Sequence, residues 1–153
     1  MNKYAVISNL ETSKPVHALH NLPLHVTLIG IFSSLEQPDY FEPTIKKVAQ
    51  KHSVVHTEAM DHQNFGDADM PIMVTELENT EQLKLLHQDL ISALTAEIKD
   101  MNPHFLPKTY RPHVTDQKDR SIQADKEVRI DNLIFVQIDG NHVYEKFRFD
   151  LTN

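Results

Sequence analysis

The strongest strand signal in the sequence is Leu22 to Phe32 (LPLHVTLIGIF), a run rich in β-branched and apolar residues. Its centre, Pro23-Leu24-His25-Val26-Thr27, is echoed in the second half of the chain by Pro112-His113-Val114-Thr115. In a strand, residues two apart face the same side. Each His-Val-Thr triplet therefore turns its histidine and threonine to one face and its valine to the other. A chain built around two such segments is committed to a sheet that packs its valines and presents imidazole and hydroxyl groups from a rigid surface.

The rest of the pattern fits that commitment. Residues 3–8 alternate weakly and predict an opening strand, followed by a loop with Pro15, His17 and His20. After a turn at 33–38, a helix is expected to start at Asp39 with Glu42, or at Pro43, with Ile45, Val48 and Ala49 on its apolar face. Strands are predicted over 53–60 and 71–77, with a polar loop around Gly66 between them. Asn79 and Gln82 suit a capping box for a second helix, in which Leu83, Leu86, Leu90, Leu94 and Ile98 form a core-facing stripe. Asn102, Pro103 and Pro107 mark a loop, and residues 128–138 and 143–151 predict two strands joined at Gly140-Asn141. This order predicts an α+β fold, and with no linker in sight, a single domain over 1–153.

Composition narrows the function. The chain has no cysteine, which removes thiol catalysis, disulfides and zinc-thiolate sites and fits a cytoplasmic protein. No apolar run reaches the ~20 residues of a membrane span, and the first residues carry no signal-peptide pattern. The formal net charge is −7, with no basic run. A groove for long nucleic acid draws its affinity from phosphate neutralisation by basic residues, so a site for one or two phosphates is the better expectation. A monomer is expected, with no membrane partner.

Two imidazoles sharing a cleft suit in-line phosphoryl transfer. A neutral one takes a proton from the attacking oxygen, and a protonated one gives a proton to the leaving oxygen. The hydroxyls of Thr27 and Thr115 are placed to donate to non-bridging oxygens as charge builds there. No cofactor or metal is required. By alternation Arg111 falls on the face of His113 and Thr115, with Gln117, and a guanidinium there suits a phosphate.

At these residues the chain resembles the 2H phosphoesterase superfamily, which includes 2′-5′ RNA ligase-like proteins and cyclic nucleotide phosphodiesterases. The resemblance rests on the two H-x-[ST] motifs, His25-Val26-Thr27 and His113-Val114-Thr115. It extends to the order of elements and to the closing Phe149-Asp150-Leu151. It implies a bilobal fold, with two antiparallel sheets flanking a central cleft, helices outside and the motifs facing each other. It also implies a metal-independent phosphodiesterase acting on a 2′,3′-cyclic or 2′-5′/3′-5′ phosphodiester of a small nucleotide or cyclic oligonucleotide. Water or the substrate's own 2′-hydroxyl would be the nucleophile, and the sequence leaves open which histidine is acid and which base. The alternative is a nucleotide-sequestering module that uses the same cleft without turnover. Asp116 departs from the family pattern, which has an apolar residue after the second motif, and alternation turns it away from the cleft.

Other residues compete for roles. Tyr4, Phe32, Phe65, Phe105 and Tyr110 are the rings available for stacking on a base, with Phe32 better suited to the core and Phe65 the prime candidate. His17 and His20, in the loop before the first motif, are candidates for the pocket rim, with solvent exposure the favoured reading. His56 and His62, with Glu58 and Asp61, have a spacing that matches no helical metal motif.

Overall fold

A computed structural model describes residues 1–11, 14–19 and 22–153, so His20 lies outside the described residues. The elements run β1 (Asn2–Asn9), β2 (His17–Ala18), β3 (His25–Ser34), α1 (Pro38–Lys51), β4 (Val55–Asn64), β5 (Met73–Leu77), α2 (Glu81–Ala93), a 3-10 turn (Pro103–Phe105), β6 (His113–Thr115), β7 (Glu127–Ile130), β8 (Asn132–Asp139) and β9 (His142–Asp150). The fold is α+β, as the order of segments predicts.

The strands lie in the order β2-β9-β8-β1-β3-β6-β5-β4-β7, and every strand-to-strand pairing is antiparallel. The two expected sheets are thus the two halves of one continuous sheet. Their seam is β3 against β6, where the paired residues are Val26 and Val114. The outer strands, β2 with two residues and β7 with four, are short, which limits edge-to-edge association.

One face of the sheet carries the main core. Val26, Leu28, Phe32, Val114 and Phe135 pack there with Phe41 and Ile45 of α1 and Leu83, Leu86 and Leu90 of α2. Burial at about 25 cal/mol per Å² of apolar surface makes this layer the principal source of stability. Beyond it, Ala5, Ile7, Val16, Ile134 and Val136 form a small second cluster.

Several boundaries differ from expectation. Helix α1 starts at Pro38, so Pro43 falls inside it, and Gln37 precedes it without a side-chain cap. Proline at the first helical position loses no hydrogen bond, which favours the earlier start. Thr80, not Asn79, caps α2, its hydroxyl accepting from the Leu83 N–H at 3.3 Å. Leu94 and Ile98 lie beyond the regular helix yet stay buried. The predicted strand 128–138 is two strands at different places in the sheet, parted at Asp131. Strand β4 runs on through His62 to Asn64.

Candidate active site

The antiparallel pairing of Val26 with Val114 sets the geometry of the site. Both valines are fully buried toward the helices. Their neighbours face the other way, so His25 stands beside Thr115 and Thr27 beside His113. All four side chains are partly buried. The motifs do not face each other from separate sheets; they lie on adjacent strands, and each histidine has the other motif's threonine at its side.

The two imidazoles are held alike. His25 Nδ1 bonds the Pro23 carbonyl at 2.8 Å, and His113 Nδ1 bonds the Arg111 carbonyl at 2.8 Å. A carbonyl only accepts, so each Nδ1 carries the proton and each Nε2 is left for chemistry. Burial pushes both pKa values below the ordinary histidine range, and the carbonyl bonds oppose that push. The charge of His113 lowers His25 further, so the two imidazoles sense each other. The Glu76 carboxylate favours the proton on His113, while Arg111 disfavours it.

Glu76 has no signature in the sequence, yet it pairs with His113 across β5 and β6. It accepts from Arg111 Nε and Nη2 at 2.8 Å each. That forked pair, chiefly through its hydrogen bonds, holds the Glu76 carboxyl below its usual range. The Arg111 guanidinium also lies 4.5 Å over the Phe65 ring, and Phe65 meets the His113 ring with centroids 4.8 Å apart. Arg111, Phe65 and His113 therefore come together, and they line a cavity of about 410 Å³ with Ile72, Asn102 and Phe105.

Tyr110 borders the same cavity, but not as a ring free for stacking. It is buried, with its ring stacked on His87 at 3.8 Å and 7°, and its hydroxyl donates to the Thr27 carbonyl at 2.9 Å. A ring whose face is covered by an imidazole is not free to stack on a base. Tyr110 instead ties the approach to the second motif onto the strand of the first. His87 Nε2 donates to the Phe105 carbonyl at 2.7 Å, and burial lowers its pKa to about 4. Phe105 rests on Gly30, where an added Cβ would come within 2.6 Å of the ring. Tyr4 and Phe32 are fully buried in the core, which rules out Tyr4 as a stacking ring.

His17 does not rim the site. It sits on β2 at the far edge of the sheet, stacked on His142 and Tyr144. His56 pairs with Glu127, and His62 with the Thr75 hydroxyl, so the two are spent on different partners. Strand β6 ends at Thr115, and Gln117 folds back to donate to the Thr115 carbonyl at 3.3 Å. Arg120 and Glu11, also silent in the sequence, pair and hold the lead into the first motif. Arg120 donates to the Leu22 carbonyl at 2.8 Å, and Glu11 accepts from Leu24 N–H at 2.9 Å.

The model of the 2′-5′ RNA ligase superfamily matches residues 3–141. The chain belongs to that superfamily. Solved structures similar to this member include TT0787 of Thermus thermophilus, at 14% identity and a TM-score of 0.61, covering 99% of this chain and 98% of that one. E. coli LigT in its apo form is 15% identical with a TM-score of 0.59, again over 99% and 98%. LigT complexed with 3′-AMP is 13% identical with a TM-score of 0.58, over 99% of both chains. At such identities the likeness shows the shared fold. No curated protein matches. Membership of the superfamily supports phosphoesterase chemistry generally, and among the described residues no helix is long and apolar enough to cross a membrane.

Proposed function

We propose that this superfamily member is a metal-independent phosphodiesterase that hydrolyses a 2′,3′-cyclic or 2′-5′/3′-5′ phosphodiester of a small nucleotide. The observation that carries the reading is the matched pair of imidazoles, each with Nδ1 bound to a backbone carbonyl two residues earlier and each flanked by the opposite motif's threonine. Complexes of LigT with 3′-AMP, ATP and NADP+ add support for a small-nucleotide ligand.

In this reading His25 is the general base. Its charge is disfavoured by burial and by His113, and no carboxylate acts on it among the described residues. Its neutral Nε2 takes a proton from water, or from a substrate 2′-hydroxyl where a cyclic phosphate is the product. His113, beside Glu76, is the general acid and gives its Nε2 proton to the leaving oxygen. The phosphoryl transition state spreads charge over the non-bridging oxygens, and the hydroxyls of Thr27 and Thr115 donate to them. Arg111, fixed by Glu76, presents its remaining N–H groups at the same edge.

Nucleotides with 2′,3′-cyclic, 2′-5′ and 3′-5′ linkages, incubated with the protein in EDTA, test the reading, with products identified by chromatography. Turnover of at least one linkage is expected, lost in His25→Ala and His113→Ala. Full activity in both variants would overturn it.

A further inference from the structure

The cavity beside His113 is walled by two short loops, residues 64–72 and 102–110, and each turns its asparagine carbonyl oxygen onto its own backbone. In the first, Asn64 Oδ1 accepts from Gly66 N–H at 2.9 Å and Ile72 N–H at 3.0 Å. The Ile72 carbonyl accepts from Phe65 N–H, and the Met70 carbonyl from Asp67 N–H. In the second, Asn102 Oδ1 accepts from His104 N–H at 3.0 Å. The Asn102, Pro103 and Leu106 carbonyls accept from N–H groups of the same loop, and the Phe105 carbonyl from His87.

These bonds fix which way each carboxamide points. With both oxygens engaged, each wall is left with an amide NH2 group, and that of Asn64 makes only a long contact of 3.4 Å to the Asp67 carbonyl; His104, Arg111 and His113 add further polar atoms to the lining. The Thr109 hydroxyl spends its proton on the Pro103 carbonyl and keeps a lone pair. Phe65 and Phe105 supply flat apolar surface, each already pinned by Arg111 or by Gly30. A volume of about 410 Å³ lies within the usual span of small-molecule sites.

We propose that this cavity is a nucleobase site that selects a base carrying a carbonyl at its exocyclic position, uracil or a 6-oxopurine, over the amino bases cytosine and adenine. A donor-lined wall satisfies a carbonyl oxygen but leaves an exocyclic amino group facing another N–H. Asn64, Asn102 and Thr109 are exposed in the free protein, so the discrimination arises when a seated base covers them and a group left unpaired there loses its water without a replacement. The ring N–H that accompanies the carbonyl finds its acceptor in Thr109. Asn102 is then a specificity-determining residue. The inference rests on the phosphodiesterase reading only in taking the ligand to be a nucleotide.

The test compares bases of equal size. kcat/KM is measured with the 2′,3′-cyclic phosphates of uridine against cytidine and of inosine against adenosine. Calorimetric binding of the four 2′-monophosphates runs in parallel. The oxo base of each pair is expected to win by about tenfold, the discrimination one well-placed polar contact provides. Asn102→Asp retains the Oδ1 that caps His104 but replaces the NH2 donor with an acceptor. That exchange should narrow or invert both ratios, since the added charge weakens all four ligands alike and cancels from each ratio. Asn64→Asp offers the same exchange on the other wall should the first variant fold poorly. Equal or reversed preferences in the unmodified protein, ratios unmoved by both variants, or no binding by any monophosphate would overturn the proposal. Monophosphates that bind in the expected order while the cyclic phosphates and the 2′-5′ and 3′-5′ linked dinucleotides all stay inert would uphold the base site and reject the phosphodiesterase reading.

Discussion

The two His-Val-Thr motifs are local copies placed in unlike surroundings. Each histidine anchors Nδ1 to the carbonyl two residues back at the same 2.8 Å, and each valine is fully buried at the seam. The first motif opens a ten-residue strand, however, while the second is the whole of a three-residue one. What the short strand lacks in length is supplied by side chains: Glu76 across from His113, Arg111 forked onto Glu76, and Tyr110 bonded to Thr27. The difference teaches that a repeated motif repeats its local geometry, and that its unrepeated setting gives each imidazole its own electrostatic surroundings.

The hardest way to break the comparison is to remove either imidazole. His25→Ala and His113→Ala should each lower kcat by ~10²–10⁴-fold with the circular dichroism spectrum unchanged. Loss in only one variant would mean that the motifs are not partners.

The next effect is on stability and comes chiefly from the second motif's surroundings. The His87 imidazole gains its proton near pH 6.5 in the unfolded chain but only at about 4 when buried under Tyr110 and Phe105. Between those values the unfolded state holds more protons, so stability falls as the pH drops through the window, by about 3 kcal/mol in all. Urea denaturation at pH 7 and pH 4.5 should show the loss. His87→Gln should remove that share of it, leaving the share from His25 and His113, whose lowered pKa values act in the same direction.

Tyr110→Phe keeps the buried ring but deletes the bond to the Thr27 carbonyl. The cost should be about 1 kcal/mol, or roughly 2–4 °C in Tm by calorimetry, together with a lower kcat as the first motif loosens. The smallest effect sharpens the contrast most. In Glu76→Gln, an NMR titration should show the His113 pKa moving down while His25 moves less, because Glu76 favours the charged form of His113 alone.

The motifs, both helices and most strands were legible in the sequence because their signals are local: alternation around Val26 and Val114, and a leucine stripe in α2. The setting was not. Nothing near Glu76 in sequence announces Arg111 as its partner, and nothing near His87 announces Tyr110, since these contacts are made by strand order and helix packing. The same blindness put Tyr110 on the list of stacking rings, where only its residue type was known. The break at Asp131 was hidden because a half-buried strand and a mostly buried one, joined by one residue, read as a single strand signal.

The seam between Val26 and Val114 has a consequence for how the chain finds its native state. A slip of one residue in that pairing would turn one motif's histidine and threonine into the core and its valine out to water. The misaligned chain would lose its packing together with its reactive face. Folding thus proofreads the site, and a molecule compact enough to persist has its two imidazoles already in step.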